Sequence, residues 1–255
     1  MCFPYDARPP ITPIAGAAID TEDLTLESKD GTKFAAFVAR AENPSGAGMV
    51  ILPDVRGLYP FYEELAMRFA EEGINAVAFD YFGRTAGVAK RDENFDFWPE
   101  VKQTKADKIV EDVRACLDYL KSPAGGSCTS LFTVGFCFGG SNSWLQAADH
   151  DDLSGAIGFY GRPGPSFVDN TPGPIDRAKE MKAPVLALMG GADQGIPPED
   201  VSALEQALKD AGVQHDVVTY EGAPHSFFDR HYEEHAEASA DAWRRCLDFV
   251  RSNKK

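Results

Sequence analysis

The 255-residue chain lacks long apolar runs and an excess of basic residues, and both absences restrict its partners. No segment approaches the roughly 20 apolar residues that a membrane span requires. The first ten residues, MCFPYDARPP, lack the basic and apolar regions of a signal peptide, so we expect a cytoplasmic protein. Forty acidic against 25 basic residues give a net charge of −15, which repels nucleic acid and anionic membranes. The acidity is compatible with a monomer, but the sequence does not indicate the oligomeric state.

Paired-cysteine and metal-binding motifs are also missing. An odd number of cysteines without a CxxC pair argues against a disulfide framework and a zinc site. The segment HYEEH, residues 231–235, places Tyr232 where the helical zinc motif requires glutamate. We therefore expect no metal and no cofactor. The five cysteines are Cys2, Cys116, Cys128, Cys137 and Cys246, of which Cys116 and Cys246 lie on amphipathic helices and are expected in the core.

Apolar segments of strand type alternate with helical segments along most of the chain. A hairpin around the turn KDG comes first. Helices then separate the segments GMVILPD, NAVAFDYFG, SLFTVGF, SGAIGFYG, APVLALMGG and QHDVVTYEG. This alternation predicts an α/β fold with a mostly parallel central sheet and helices on both faces. Without repeats or linkers, residues 1–255 are expected to form a single domain, with residues 1–20 as an irregular arm. Residues 82–103 and 161–180 lack clear periodicity and are predicted to be loops that roof a pocket.

The segment GFCFGG fits the pattern of a nucleophile elbow, in which a strained turn between strand and helix exposes a nucleophile. Cys137 occupies the nucleophile position, and side chains at Gly135 and Gly139 would collide with the crossing strand and helix. A helix N-terminus favours the thiolate, and the N–H of Phe138 would face a forming oxyanion. The alternative is that Cys137 is only a small buried residue, but the combined pattern favours the nucleophile.

A thiol nucleophile needs a base, and the base needs an acid that orients it. In this fold the chain order is nucleophile, acid, histidine. Asp193 follows the strand APVLALMGG and His225 follows the strand QHDVVTYEG, so both lie where parallel sheets keep their sites. Asp193 could instead be a turn or cap residue, and His225 a loop histidine. His215 within a strand and His150 at a helix end fit the role less well.

The segment LPDVRGLYPFY follows the first long parallel strand and is expected to supply a second oxyanion donor. The N–H of Val55 is the candidate. Asp54 precedes it and is expected beside the thiol, where it would either activate the thiol or brace the loop. The sequence leaves these two roles of Asp54 open.

The segments GFCFGG, MGGADQGIP, EGAPHSFFDR and LPDVRGLYPFYEEL together resemble the dienelactone hydrolase (carboxymethylenebutenolidase) family of α/β-hydrolases. The resemblance runs from about Asp23 to the last helix. It implies an α/β-hydrolase fold with Cys137 as nucleophile, His225 as base and Asp193 as its orienter. It also implies an oxyanion hole formed by the N–H groups of Val55 and Phe138.

The resemblance extends to groups around the thiol and the substrate. The family places a glutamate next to the resting thiol, and the matching position here is Asp54, which is one methylene shorter. Family members also use arginines to hold a substrate carboxylate, which implies Arg230 and either Arg84 or Arg91. Independently of the resemblance, the candidate pocket walls are aromatic, although core or surface packing is at least as good an explanation for any one of them. They are Tyr59, Tyr62, Phe82, Trp98 and Tyr160.

The choice of a thiol also restricts the substrate. A thiol has a pKa of about 8.5, whereas the conjugate acid of an alkoxide has a pKa near that of water, about 16. A tetrahedral intermediate on an ordinary alkyl ester would therefore expel the thiolate. Activated esters, with an enol lactone first, are the predicted small-molecule substrates. The alternatives are a broad carboxylesterase or thioesterase on the same scaffold, a non-catalytic ligand-binding relative, and a redox-sensing thiol protein.

Overall fold

The computed structural model describes residues 5–255, so Cys2 lies outside the described residues. Residues 5–18 form turns and irregular segments before an eight-stranded sheet. Its strands are β1 (Ile19–Glu27), β2 (Lys33–Ala41), β3 (Ala47–Leu52), β4 (Asn75–Phe79), β5 (Ser130–Phe136), β6 (Leu153–Phe159), β7 (Val185–Gly190) and β8 (His215–Tyr220). The strand order is β1-β2-β4-β3-β5-β6-β7-β8.

The predicted hairpin and parallel sheet are both present. Strands β1 and β2 pair antiparallel, with Ile19 opposite Ala41 and Glu27 opposite Lys33. Strand β2 is also antiparallel to β4, whereas all pairings among β3 to β8 are parallel. Strands β3 to β7 are buried along their whole length, which explains why they appear in the sequence as continuous apolar runs.

Helices cover both faces of the sheet, as the sequence predicted. They are α1 (Pro60–Glu71), α2 (Gly83–Ala86), α3 (Phe97–Val101), α4 (Ala106–Lys121), α5 (Phe138–Asp149), α6 (Pro174–Arg177), α7 (Pro198–Asp210) and α8 (Ala236–Asn253). On β6, a Cβ at Gly155 would meet Phe249 of α8, whereas a Cβ at Gly158 would meet Trp144 of α5. Residues three apart on a strand point to opposite faces, so α5 and α8 lie on opposite sides.

The two segments predicted as loops contain short helices that the sequence pattern did not reveal. Residues 82–103 include α2 and α3, and residues 161–180 include α6 and the 3-10 turn Ala178–Glu180. Elements of three to five residues are too short to display a helical period, which accounts for the difference. Cys116 and Cys246 are fully buried in the core, as expected for apolar positions of amphipathic helices.

Candidate active site

Cys137 lies in a sharp turn between β5 and α5. Its backbone has φ 55° and ψ −113°, a conformation that is strained for a residue with a side chain. A Cβ added at Gly135 would lie 1.9 Å from the carbonyl oxygen of Gly139, and one at Gly139 would lie 2.1 Å from that of Leu52. The Cys137 N–H donates to the carbonyl of Phe159 on the neighbouring strand at 3.0 Å. The turn thus has the backbone geometry and the steric need for glycine that the elbow pattern predicted.

Asp193 and His225 reach the same edge of the sheet as Cys137. Asp193 follows the end of β7, and His225 follows the end of β8. The Nδ1 atom of His225 lies 2.6 Å from Oδ2 of Asp193, and the side chain of His225 also forms a hydrogen bond with Cys137. The three side chains therefore form one continuous hydrogen-bonded chain.

The electrostatic environment favours a protonated imidazole at His225. Burial alone would lower its pKa, but the hydrogen bonds to Asp193 and Cys137 and the charges of those groups outweigh it. The net effect raises the pKa of His225 to about 10. Asp193 also accepts the N–H of Gly195 at 2.8 Å, so it combines a turn role with its contact to the histidine. It does not cap α7, which begins at Pro198.

The N–H groups of Val55 and Phe138 are the predicted oxyanion donors. Phe138 is the first residue of α5, where N–H groups lack helical partners. In the part of the chain from residue 5 onward, neither N–H donates to a protein acceptor. The chain leading into Val55 lies directly against the elbow, since a Cβ at Gly139 would also lie 2.3 Å from the Pro53 carbonyl oxygen.

Comparison with known sequences identifies the family. A sequence model of the dienelactone hydrolase family matches residues 34–253. The chain belongs to the dienelactone hydrolase family. A provisionally named carboxymethylenebutenolidase of Salmonella typhimurium is 31% identical over 260 residues, which cover 96% of this chain and 95% of that protein. A protein of Escherichia coli K12 with the same name is 29% identical over 257 residues, which cover 95% and 93%.

Solved structures place this member of the dienelactone hydrolase family in the same fold. A provisionally named dienelactone hydrolase from Klebsiella pneumoniae matches with a TM-score of 0.81 at 28% identity, covering 92% of this chain and 99% of that chain. The dienelactone hydrolase-like promiscuous phosphotriesterase P91 matches with a TM-score of 0.76 at 22% identity, covering 94% and 100%, and supports the fold alone. Together with the sheet topology, these matches confirm the predicted α/β-hydrolase fold.

Asp54 of this dienelactone hydrolase relative is tied to a neighbouring arginine. Its side chain is fully buried, and Oδ2 lies 2.6 Å from Nη2 of Arg56. The Arg56 N–H also donates to Oδ1 at 2.8 Å, and the Arg56 guanidinium lies 4.8 Å from the centre of the Tyr59 ring. These contacts brace the turn that carries Val55, which favours the bracing role over thiol activation. Arg56 escaped the sequence analysis, although its position two residues after an acid was a usable signal.

The structure gives Arg84 and Arg91 other partners than a substrate. Arg84 pairs with Asp112 at 2.7 Å and with Asp30 at 3.2 Å. Arg91 is buried, pairs with Asp80 at 2.8 Å and donates to backbone carbonyls of the same loop. Because both guanidinium groups are occupied within the fold, these placements argue against the predicted substrate-binding role.

The other predicted binding residues differ in their exposure to solvent. Trp98 is 49% exposed and packs on Phe97, so it is not an enclosed pocket wall. Arg230 is exposed. Tyr160 is fully buried, and the centre of its ring lies 4.9 Å from that of His225. Tyr59, Tyr62 and Phe82 are buried in the core, and the Tyr62 hydroxyl accepts the Asp54 N–H at 2.9 Å.

Asp229 is a buried acid near the site that the sequence analysis missed. The Tyr160 hydroxyl donates to its Oδ2 at 2.7 Å, and the Arg230 N–H donates to its other oxygen. Burial raises the pKa of Asp229 to about 7, although the hydrogen bonds from Tyr160 and Arg230 oppose the rise. The acid therefore links the loop that carries His225 to the end of β6. Asp229 lies four residues after His225 in the sequence, and this proximity could have indicated that it belongs to the site.

Neither a metal cluster nor a membrane-spanning helix is found in residues 5–255. No group of three or more histidine, cysteine, aspartate or glutamate side chains could hold a metal ion there. No helix there is long and apolar enough to cross a membrane.

Gly139→Ala tests the steric constraint at the elbow. The new methyl group would collide with the Leu52 and Pro53 carbonyls, so we expect a loss of about 1–3 kcal/mol in the free energy of unfolding, measured by urea titration. Gly164→Ala is the matched control, because a Cβ there meets nothing within 4 Å. Equal unfolding midpoints for the two variants would contradict the constraint.

Arg56→Met tests the buried ion pair. It leaves the Asp54 carboxylate buried without its guanidinium, so we expect a loss of about 3–5 kcal/mol in urea unfolding. The double variant Asp54→Asn/Arg56→Met should recover much of that loss. Arg251→Met removes an exposed ion pair as a control and should change stability by less than about 1 kcal/mol. A single Arg56 variant as stable as this control would rule out the bracing role.

Proposed function

We propose that this member of the family is a cysteine-nucleophile hydrolase of activated esters, with an enol lactone such as dienelactone as its best substrate. The observation that carries the proposal is the hydrogen-bonded chain from Cys137 through His225 to Asp193 at the elbow. The name carboxymethylenebutenolidase, carried by the relatives, supports the substrate class.

The site's charges support a reactive thiolate. The raised pKa of His225 keeps the imidazole protonated at neutral pH, and a neighbouring imidazolium stabilises a thiolate. Cys137 also lies at the N-terminus of α5, where the helix dipole favours negative charge. Asp193 holds the ring orientation and balances the imidazolium charge.

The proposed reaction proceeds through a thioester. The Cys137 thiolate attacks the carbonyl carbon, and the N–H groups of Val55 and Phe138 stabilise the resulting oxyanion. The intermediate then breaks its bond to the leaving oxygen, and the His225 imidazolium gives its proton to that oxygen, which leaves His225 neutral. A water molecule next gives a proton to His225 and attacks the thioester carbon. Breaking the carbon–sulfur bond releases the carboxylic acid and restores the thiolate.

The leaving group decides which esters turn over. The thiolate departs more easily than an alkoxide, so an alkyl ester would return to the starting state from the tetrahedral intermediate. Enolates, aryl oxides and thiolates compete with the Cys137 thiolate for departure. This comparison places enol lactones, aryl esters and thioesters ahead of alkyl esters.

A broad carboxylesterase or thioesterase is the second candidate, and the arginine placements favour it. Arg84 and Arg91, expected to hold the carboxylate of a lactone substrate, are bound to acids of the fold. A site without either of these two contacts would discriminate less strongly between activated esters. Relative rates on cis-dienelactone and on neutral aryl esters separate the two candidates.

Cys137→Ala tests the nucleophile directly. We expect turnover of both p-nitrophenyl acetate and cis-dienelactone to fall by at least about 10³-fold, measured as product release at one enzyme concentration. Cys246→Ala is the control, because it removes a buried thiol from α8 and should retain activity. Wild-type rates in the Cys137 variant on both substrates would leave the elbow without a catalytic role.

Esters with graded leaving groups test the predicted substrate preference. Acetate esters with leaving groups of graded pKa should show rates that fall steeply as that pKa rises above the thiol value of about 8.5. Steady-state kcat/KM values for aryl and ethyl esters provide the measurement. Equal kcat/KM values for the aryl and ethyl esters would contradict the predicted dependence on the leaving group.

The raised pKa of His225 predicts how thiol reactivity depends on pH. Iodoacetamide should alkylate Cys137 rapidly at pH 6 in the wild type, because the imidazolium persists up to about pH 10. In His225→Gln the rate at pH 6 should fall by at least about tenfold and recover above the ordinary thiol pKa of about 8.5. Identical profiles would contradict the ion pair.

The raised pKa of His225 also contributes to the free energy of unfolding. This contribution is fully present below pH 6.5 and is lost as the pH rises through about 10.

A further inference from the structure

The chain that leaves β6 runs alongside the nucleophile elbow. The Phe159 carbonyl accepts the Cys137 N–H, and the next ring, Tyr160, packs against His225. Tyr160 has φ 38°, which is uncommon for a residue with a side chain and often marks a functional site. The Arg162 carbonyl then accepts the hydroxyl of Ser141, in the first turns of α5, at 2.9 Å. The backbone of Arg162 is therefore fixed close to the N-terminus of α5, whose N-cap residue is Cys137.

The side chain of Arg162 is exposed and has no acidic partner in residues 5–255. This is unusual in the molecule, because most of its arginines form ion pairs in the described residues, as Arg56 does with Asp54 and Arg177 with Asp149. Forty acids in the chain make an unpaired guanidinium still less expected. Such a group is available to a ligand that carries negative charge.

Arg162 lines a cavity that begins at the residue after the nucleophile. Its apolar walls are formed by Phe138, Leu145, Ile109, Phe167 and Val168. The Phe138 and Phe167 rings meet edge to face, with centres 5.8 Å apart, and the Phe167 side chain is 50% exposed, so this wall is open to solvent. The predicted roof segment 161–180 supplies much of the lining, whereas the described lining includes no residue of 82–103. Aromatic walls of this kind suit a flat ring.

One acid also lines the cavity, and its hydrogen bonds stay within the roof. Oδ1 of Asp169 accepts both the N–H and the hydroxyl of Thr171, at 3.2 and 2.8 Å. These hydrogen bonds help lower the pKa of Asp169, while burial opposes them. Arg162 and Asp169 are the charged residues among the described lining, so their balance should set the charge preference.

We infer that this cavity binds the leaving group of the substrate, as an aromatic or enolic ring whose anionic substituent pairs with Arg162. The inference rests on the proposed function. The Phe138 N–H would hold the oxyanion while the Phe138 side chain forms a wall of the cavity, so a bound carbonyl has this wall beside it. A thiol nucleophile requires an aryl or enol leaving group, and such a group is what the aromatic walls fit.

The test compares 4-acetoxybenzoate, which carries a carboxylate on its leaving group, with its neutral methyl ester. In Arg162→Gln we expect kcat/KM for the carboxylate substrate to fall about fivefold to tenfold, as for loss of one charge-assisted hydrogen bond. The value for the methyl ester should stay unchanged, and Arg162→Lys should recover part of the loss. Asp169→Asn should raise the preference for the carboxylate substrate. Rising NaCl should lower this preference in the wild type but not in Arg162→Gln.

Two controls keep the outcomes distinct. Arg251→Gln removes an exposed arginine on α8 and should leave both substrates unaffected. Monophenyl succinate carries its charge on the acyl side, so a loss in Arg162→Gln confined to that substrate would overturn the leaving-group assignment. Equal losses on charged and neutral substrates, or no loss on either, would also overturn it. Failure of the proposed function would instead appear as turnover of phenyl acetate that survives Cys137→Ala.

Discussion

The site depends on one close backbone contact, where α5 begins against the end of β3. Gly139 approaches the carbonyls of Leu52 and Pro53 so closely that no Cβ fits between them. This approach holds Cys137 in its strained conformation at the carboxyl edge of the parallel sheet. It also brings the chain that leads to Val55 beside the start of the helix. A looser contact would separate the thiol from both of the N–H groups proposed to hold the oxyanion.

Buried polar groups stabilise the turns and loops around this contact. The Asp54–Arg56 pair fixes the turn after β3, and the Asp229–Tyr160 hydrogen bond fixes the loop after β8. Burying each of these polar groups costs free energy, and the hydrogen bonds that each one forms offset this cost. The second contact matters for the proposed chemistry, because the Tyr160 ring packs directly on His225. Placement of His225, the proposed base, is thus linked to Asp229, whose pKa burial raises to about 7.

The sequence predicted those parts of the molecule that depend on patterns within a few neighbouring residues. Apolar runs located the parallel strands, and the glycines around Cys137 located the elbow, because both reflect steric rules that act over a few residues. The proximity of Asp193 and His225 could be predicted because each follows a strand end and the chain order was restricted. The partners of Arg84 could not, because Asp112 and Asp30 are 28 and 54 residues away and only the folded chain brings them together. Asp229 was missed for a related reason, since its hydrogen-bond partner Tyr160 lies 69 residues away, just after β6.

The central claim is that Cys137 forms a covalent thioester during turnover. The most direct measurement is mass spectrometry of the enzyme quenched in acid during hydrolysis of p-nitrophenyl acetate, followed by peptide mapping. The account predicts an acetyl group on the peptide that contains Cys137, lost on further incubation and absent in His225→Gln at the same time point. Full turnover with no acetylated Cys137, or with the acetyl group on another residue, would contradict it.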